Sequence, residues 1–391
     1  MKKIYLHIGC GKTGSSALQL WLHQNIKNLL ETGILYPSDI KKLDKYAITS
    51  GNGTQSVSEI LAGRSMAYFS DLTRCDQHIC LSSEAFQLLK KEHLTELKST
   101  FEQLKLKPII IAYVRDVYDM MYSSYLQLVK RNLLSRSFED YVLSQNELQQ
   151  FNVVDLWSSA FPDIQLIHYD SCKTNIAQPF CDLIGVNYDK MNPLPNVKVN
   201  RSLSLLEAEL VRFMNECYVR ETRKEANSIF CEKISNALIY NNPELDTEIL
   251  YNTTLQQYME STFSDKISEI NKNFFNGEKN LRILREGDKK LTSQAAVLPT
   301  YFTVTISELF NTLPPLLLGQ NVQATTEKKP LTEHDERIIP FLVSAAERRK
   351  NTQLNDALSL LNAAKVLRPT GVIINERINE YTNALKTKRS I

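Results

Sequence analysis

The sequence predicts an α/β fold: a doubly wound parallel sheet flanked by helices, with an all-helical C-terminal extension. Four short, nearly continuous apolar runs occupy residues 3–8, 78–82, 108–114 and 164–168, and such runs are typical of parallel strands buried on both faces. Segments with helical apolar spacing separate them, at residues 15–30, 94–104, 118–129, 153–161 and 176–184. This alternation indicates βα units and a parallel sheet.

The rest of the chain is predicted to be helical. Residues 204–275 carry helical spacing throughout, and two further helices are expected at 354–367 and 372–385, with another over 333–349. Proline and glycine within 312–335 indicate a linker. We therefore expect an α/β domain over 1–285, a connecting segment over 286–335 and a helical region over 336–391. That region is similar to one tetratricopeptide hairpin, or is an ordinary helical appendage.

Composition excludes several classes of protein. The 46 basic and 44 acidic residues nearly cancel, which gives no indication of nucleic acid or an anionic membrane as partner. The 7 cysteines are an odd, scattered set, which favours a reducing compartment over a disulfide framework. Cys75, His78 and Cys80 lack a second ligand pair, so no metal site is expected. No run approaches a membrane span or a signal peptide, and a cytoplasmic location is expected.

The turn after the first strand carries the strongest chemical pattern. Glycines in residues 7–16 let backbone N–H groups approach an anion, and the following helix directs its positive end to the same place. Lys12 adds a charge, and hydroxyls add donors. The candidate phosphate-binding residues are Gly11, Lys12, Thr13, Gly14, Ser15 and Ser16. Because Lys12 precedes Gly14, the spacing is not that of a Walker A motif.

A second anion site is expected where the 108–114 strand ends. Arg115 follows that strand, and Ser123 lies eight residues on, two turns into the next helix. An arginine fork beside a hydroxyl suits a phosphate monoester.

Together these segments resemble the sulfotransferases that use 3′-phosphoadenosine 5′-phosphosulfate (PAPS), whose nucleotide domain is P-loop-like. The bacterial, carbohydrate-type members are the most similar, with matching segments at 7–19, 33–37 and 81–84 and a further element at 200–204. The resemblance covers residues 1–280 and leaves the C-terminal hundred unexplained. Asp116-Val117 departs from the Asn-Pro that many members have after the arginine, and Ser15-Ser16 stand where threonines are commoner.

The resemblance implies a role for each matching residue. Lys12 and its loop would hold the 5′-phosphosulfate, while Arg115 and Ser123 would hold the 3′-phosphate, with Arg201 and Ser202 as further nucleotide contacts. Lys12 would neutralise the leaving oxygen, and Glu84 would be the general base. His7 and His168 are the rival bases. PAPS is the expected donor, the nucleotide product is adenosine 3′,5′-bisphosphate, and no metal is required.

The acceptor is expected to be a hydroxyl or amine of a saccharide or polysaccharide, on the resemblance alone. Residues 51–53 could form an acceptor loop, and the basic residues Lys130, Arg131 and Arg136 could contact an acidic glycan or form a solvated face. Self-association or a protein partner is expected at the C-terminal helices. Two alternatives stay open: a kinase or nucleotide hydrolase using Asp116 and Asp170, or a non-catalytic nucleotide-binding module.

Overall fold

The computed structural model describes residues 1–38, 51–194, 201–222, 228–241, 251–275, 280–284, 354–367 and 371–389, with single positions at 277, 343, 346, 347 and 350. The chain divides into two compact units. Unit 1 comprises Met1–Val129, Leu134–Leu205 and Thr247–Lys290; unit 2 comprises Lys130–Leu133, Leu206–Asp246 and Leu291–Ile391. The expected connecting segment, 286–335, lies outside the described residues.

Unit 1 contains one parallel sheet of five strands: β1 (Lys2–His7), β2 (Ile34–Leu35), β3 (His78–Ser82), β4 (Leu106–Val114) and β5 (Gln165–His168). Their order is β2-β3-β1-β4-β5, and every neighbouring pair is parallel. The predicted parallel α/β architecture is confirmed. Strand β2 was not predicted, because two residues are too few to show a period.

Helices join and cover these strands. In unit 1 they are α1 (Ser15–Gln24), α2 (Ile26–Glu31), α3 (Gly53–Leu61), α4 (Ser65–Leu72), α5 (Lys91–Gln103), α6 (Val117–Arg131, whose last two residues fall in unit 2), α7 (Phe138–Leu143), α8 (Gln149–Ala160), α9 (Ala177–Ile184) and α12 (Thr253–Phe274). The helix predicted over 15–30 is two helices. Asn25 separates them because its buried side chain donates to the carbonyl of Trp21 and accepts from the Asn192 N–H.

The core lies on both faces of the sheet, as strand alternation requires. On one face, Tyr5 of β1 and Tyr113 of β4 pack with Trp21 of α1 and Phe180 of α9. On the other, α5 packs against β4 and α8, with Phe101, Trp157 and Phe161 in ring contact. Burying one such side chain contributes about 1.5–3 kcal/mol.

Unit 2 is helical in its described parts. It contains α10 (Leu205–Thr222, beginning at the last residue of unit 1), α11 (Ile229–Asn241), α13 (Leu354–Leu367) and α14 (Val372–Arg389). Ala357 and Leu361 of α13 share a core with Ile374 and Tyr381 of α14 and Phe213 of α10. Most of the helix predicted over 333–349 lies outside the described residues. None of the helices that the structure describes is long and apolar enough to cross a membrane.

Phe180 of α9 fills part of the core beside α1. Phe180 is fully buried, so Phe180→Ala should lower the free energy of unfolding by about 3–5 kcal/mol through lost burial and an unfilled cavity. Leu30→Ala is the control, because Leu30 is 47% exposed and should change stability by at most about 0.5 kcal/mol. Denaturant unfolding measures both. Equal losses in the two variants would contradict this description of the core.

Candidate functional site

The candidate site lies where the three central strands end. His7, the last residue of β1, pairs with Ser82 of β3 and with Ile111 of β4. Ile8 then donates to the Ile111 carbonyl, and Ser83 donates to the carbonyl of His7, both at 3.0 Å. The segments that leave β1 and β3 therefore start side by side, and β4 continues past Ile111 to Val114 at the same edge of the sheet.

The loop after β1 leads directly into α1. Gly14 has φ 77 and precedes the first helical residue, Ser15, and no side chain among the described residues caps this helix. The N–H groups of its first turn are therefore oriented toward the loop with the positive end of the helix dipole. The Ser15 Oγ is buried and has no hydrogen-bond partner within the described part of the chain. Both features fit a ligand rich in oxygen atoms.

Lys12 has an unusual backbone conformation. Its φ of 68 lies in the left-handed region, which costs a residue with a side chain roughly 1–2 kcal/mol. Its carbonyl accepts from Nη1 of Arg115 at 3.2 Å, and its Nζ donates to Oε1 of Gln127 on α6 at 3.3 Å. The loop and the strand-end arginine are therefore in direct contact.

Arg115 is fixed through both its backbone and its side chain. The side-chain amide of Gln150 on α8 accepts from the Arg115 N–H and donates to its carbonyl, at 3.1 and 3.0 Å. The guanidinium lies 5.2 Å from the ring centroid of Tyr169, within the range of a cation–π contact. Its Nε is 3.4 Å from Asp170 and its Nη2 is 3.7 Å from Asp119.

The charge of Arg115 is therefore shared with two carboxylates. Asp119 forms an i, i+4 ion pair with Arg115. Burial raises the pKa of Asp119, and the charge of Arg115 opposes that shift. Nothing in the sequence had indicated Gln150 or this pairing, because the partners come from separate elements.

Ser123 lies in α6 on the face that carries Gln127. It is half-buried in α6, and Gln127, which holds Lys12 Nζ, lies one turn further along the same helix. Residues four apart share one face of a helix. The predicted pairing of Arg115 with Ser123 is therefore compatible with this geometry, although no direct contact between the two side chains is described.

A buried group of metal-ligand types lies behind Arg115. Ligand atoms of Asp116, His168 and Asp170 are all within 4.8 Å of one another. They are already engaged: Asp116 Oδ1 accepts from His168 Nε2 at 2.9 Å and from the Arg282 N–H at 2.8 Å, and Asp170 Oδ2 accepts from the Asp116 N–H at 2.8 Å.

We interpret that group as the network that fixes the turn after β4, since buried polar groups need such partners. Asp116, the departure from the resembling family's pattern, is central to it. Cys75, His78 and Cys80, the weak cluster in the sequence, do not form a ligand group among the described residues.

Glu84 lies beside the start of the loop. It is exposed and begins a short 3₁₀-helix, Glu84–Leu88, after β3. Gly9 approaches it closely, because a Cβ on Gly9 would lie 2.9 Å from Cγ of Glu84 and 3.2 Å from Oγ of Ser15. Gln87 donates to the Gly9 carbonyl. These contacts therefore hold the loop after β1 close to the Glu84 carboxylate.

The two rival bases are enclosed. His7 is fully buried; its Nδ1 hydrogen-bonds with Oγ of Ser82 at 2.7 Å, and burial lowers its pKa to about 4. His168 is 3% exposed and bonds to Asp116. Of the three candidate bases only Glu84 reaches solvent.

Arg201 and Ser202 lie just before α10. Arg201 is buried and its Nη1 donates to the Ser202 carbonyl at 3.0 Å. This contact does not by itself join Arg201 to the loop, so their predicted role in nucleotide binding stays a prediction.

No family model, curated protein or solved structure matches this chain. Function is therefore inferred from the residues of the site and from their geometry.

The buried His7 predicts a pH dependence of stability. The unfolded chain takes up a proton on this residue near pH 6.5, whereas the folded protein takes it up only near pH 4. The free energy of unfolding should therefore fall as the pH decreases from 6.5 to 4, by roughly 3 kcal/mol. Above pH 6.5 this contribution is constant.

The variant His7→Asn isolates that effect, because the other histidines with lowered pKa, His23 and His78, remain. Urea unfolding at pH 7.5 and 4.5 should show a smaller loss of stability in the variant than in the parent protein. The same loss in both would show that His7 is not buried in its neutral form.

Proposed function

We propose that this chain is a PAPS-dependent sulfotransferase with a P-loop-like nucleotide domain, acting on a hydroxyl or amine of a saccharide or polysaccharide. The observation that carries the proposal is the hydrogen bond from Arg115 to the Lys12 carbonyl. It joins two anion-binding elements that lie 103 residues apart in the sequence. A ligand with anionic groups at both ends suits such a pair.

The residues present fit the two anionic ends of PAPS. The uncapped start of α1, with Lys12 and the loop hydroxyls, suits the 5′-phosphosulfate. Arg115 and the α6 face that carries Ser123 suit the 3′-phosphate. The Ser15 Oγ is buried and makes no hydrogen bond to the residues that the structure describes. Unused buried polar atoms carry a free-energy cost that ligand oxygens would relieve.

Binding a phosphate at Arg115 requires competition with its carboxylate partners. The contact with Asp119 is longer than that with Asp170, at 3.7 against 3.4 Å, and Asp119 has the raised pKa. A phosphate oxygen would therefore replace Asp119 first. Asp170 and Tyr169 would keep the guanidinium in place, which reduces the entropy lost on binding.

Catalysis would divide between Lys12 and Glu84. Sulfuryl transfer needs charge stabilisation on the leaving oxygen and a base for the attacking hydroxyl. Lys12 Nζ already reaches across the loop to α6, and a small torsional change would bring it to a ligand seated on the loop. Glu84 is exposed beside Gly9, where it can accept the proton of an acceptor hydroxyl.

The kinase or hydrolase alternative fits less well. It would need Asp116 or Asp170 to hold a metal, and both carboxylates accept hydrogen bonds from backbone N–H groups inside the fold. The non-catalytic alternative gives no reason for an exposed carboxylate held against the loop.

A ligand comparison separates these alternatives. Adenosine 3′,5′-bisphosphate at about 100 times its Kd should stabilise the protein by about 2.7 kcal/mol, visible as a rise in Tm, while ATP with Mg²⁺ should not. Lys12→Ala removes a charge and Arg115→Lys removes the planar fork of N–H donors, so each should weaken binding of the bisphosphate about 10- to 100-fold in calorimetry.

Exposed cations are the controls for that experiment. Lys27→Ala and Arg74→Ala remove charges from the surface and should leave the affinity unchanged. A Tm rise with ATP–Mg²⁺ alone would favour the kinase, and unchanged affinity in both site variants would refute the site.

Glu84 should affect turnover without affecting nucleotide affinity. Glu84→Gln keeps the shape of the side chain but cannot take a proton, so the transfer rate should fall about 10²- to 10⁴-fold. Calorimetry should give the parent's affinity for the bisphosphate. A variant that transfers at the parent's rate would exclude Glu84 as the base.

A further inference from the structure

Strand β2 covers only the first part of β3. Strand β2 pairs only with His78 and Ile79, whereas β3 continues to Ser82. Among the described residues, no strand pairs with the carbonyl of Cys80 and the N–H of Ser82 beyond the end of β2. Backbone groups buried at a sheet edge need a partner.

The side chain of Asn52 supplies that partner. Its Nδ2 donates to the Cys80 carbonyl at 3.0 Å, and its Oδ1 accepts from the Ser82 N–H at 2.8 Å. A primary amide carries donor and acceptor in the arrangement of a peptide group. The Asn52 side chain thus takes the place that a peptide unit of a neighbouring strand would have.

This use of Asn52 replaces its usual local role. Asn52 precedes α3 at the N-cap position, where asparagine ordinarily accepts from the N–H groups of its own helix. Here its side chain makes no capping bond. Both of its side-chain polar atoms hydrogen-bond to β3 instead.

The neighbours of Asn52 hold it against β3. Gly51 approaches so closely that a Cβ there would lie 1.9 Å from the Ser82 carbonyl oxygen and 2.8 Å from Nε2 of Gln19 on α1. Thr54 Oγ1 lies 3.0 Å from Oγ of Ser83, and that same Ser83 Oγ accepts from Ala85 N–H at the start of the 3₁₀-helix. Residues 51–54 therefore contact and hydrogen-bond to the end of β3, which leads directly to Glu84.

We propose that Asn52 is a positioning residue for Glu84. Asn52 fixes the end of β3, just before Glu84. Gln87, which follows Glu84 in the 3₁₀-helix, bonds to the Gly9 carbonyl. The carboxylate is therefore held at the loop by contacts before and after it in the sequence. The inference rests on the proposed function in that Glu84 is the base. It assigns residues 51–54 to the placement of the base, whereas the sequence offered residues 51–53 as a possible acceptor loop.

Cleavage of PAPS without an acceptor provides the probe. Water attacks sulfur, the bond from sulfur to the bridging oxygen breaks, and the water proton passes to Glu84; sulfate and adenosine 3′,5′-bisphosphate are released. Asn52→Ala should lower this rate about 10²-fold, as a small misplacement of a reacting group does. The Kd of the bisphosphate should stay within about twofold, because the phosphate contacts are untouched.

A double variant distinguishes positioning from general damage. If Asn52 acts through Glu84, Asn52→Ala combined with Glu84→Gln should be no slower than Glu84→Gln alone. Multiplied losses, or a parallel loss of bisphosphate affinity, would overturn the proposal. Asn252→Ala is the matched control: Asn252 also precedes a helix, α12, but caps it through Thr254 and Leu255 N–H, so this variant should lose stability and keep the cleavage rate.

Hydrogen–deuterium exchange tests the same placement without any activity. The Ser82 amide should exchange at least about tenfold faster in Asn52→Ala than in the parent or in Asn252→Ala, because its acceptor is gone. Unchanged exchange would overturn the proposal. If the parent neither binds the bisphosphate nor cleaves PAPS, the proposed function fails, and exchange still decides whether Asn52 holds the turn.

Discussion

Strand β1 lies between β3 and β4 and hydrogen-bonds to both in the same direction, and every part of the site depends on that pairing. It brings the three segments that leave these strands to one edge: the loop with Lys12, the 3₁₀-helix with Glu84 and the turn with Arg115. From β1 the chain crosses toward β2, and from β4 it crosses toward β5. Open α/β sheets bind their ligands in the crevice at such a change of direction.

The polar groups behind this edge determine how rigid it is. Arg115 is held through its backbone by Gln150, through its charge by two carboxylates and through its ring contact with Tyr169. A partly buried guanidinium is stable only with such partners, and the same partners orient it before a ligand arrives. The cost is electrostatic, because the carboxylate of Asp119 would compete with the phosphate that we propose binds here. Asp116 makes this edge more rigid. It follows β4, and its carboxylate hydrogen-bonds to His168 of β5 and to the backbone N–H of Arg282.

Periodicity predicted most of the sheet and failed where contacts between segments override local preference. The strand at 78–82 was predicted with its observed ends, because a continuous apolar run needs only burial to become a strand. The helix predicted over 15–30 is instead interrupted at Asn25, whose side chain is bound by a residue 167 positions away. The structural role of Asn52 could not be predicted for the same reason, because its partners are distant in sequence. Cys80 and Ser82 lie on a strand, and the neighbours of Asn52 predict only a turn.

The sequence by itself determined the parallel α/β class, the glycine-rich loop with Lys12 and the positions of Arg115 and Glu84 at strand ends. These follow from local burial and backbone preference, which a single segment encodes. Only the tertiary structure decided that Arg115 bonds to the Lys12 carbonyl, that Glu84 lies against Gly9 while both histidines are enclosed, and that Asn52 completes the edge of β3. Each of these contacts joins separate segments, and they meet because distant strands pair side by side, which a single segment does not encode.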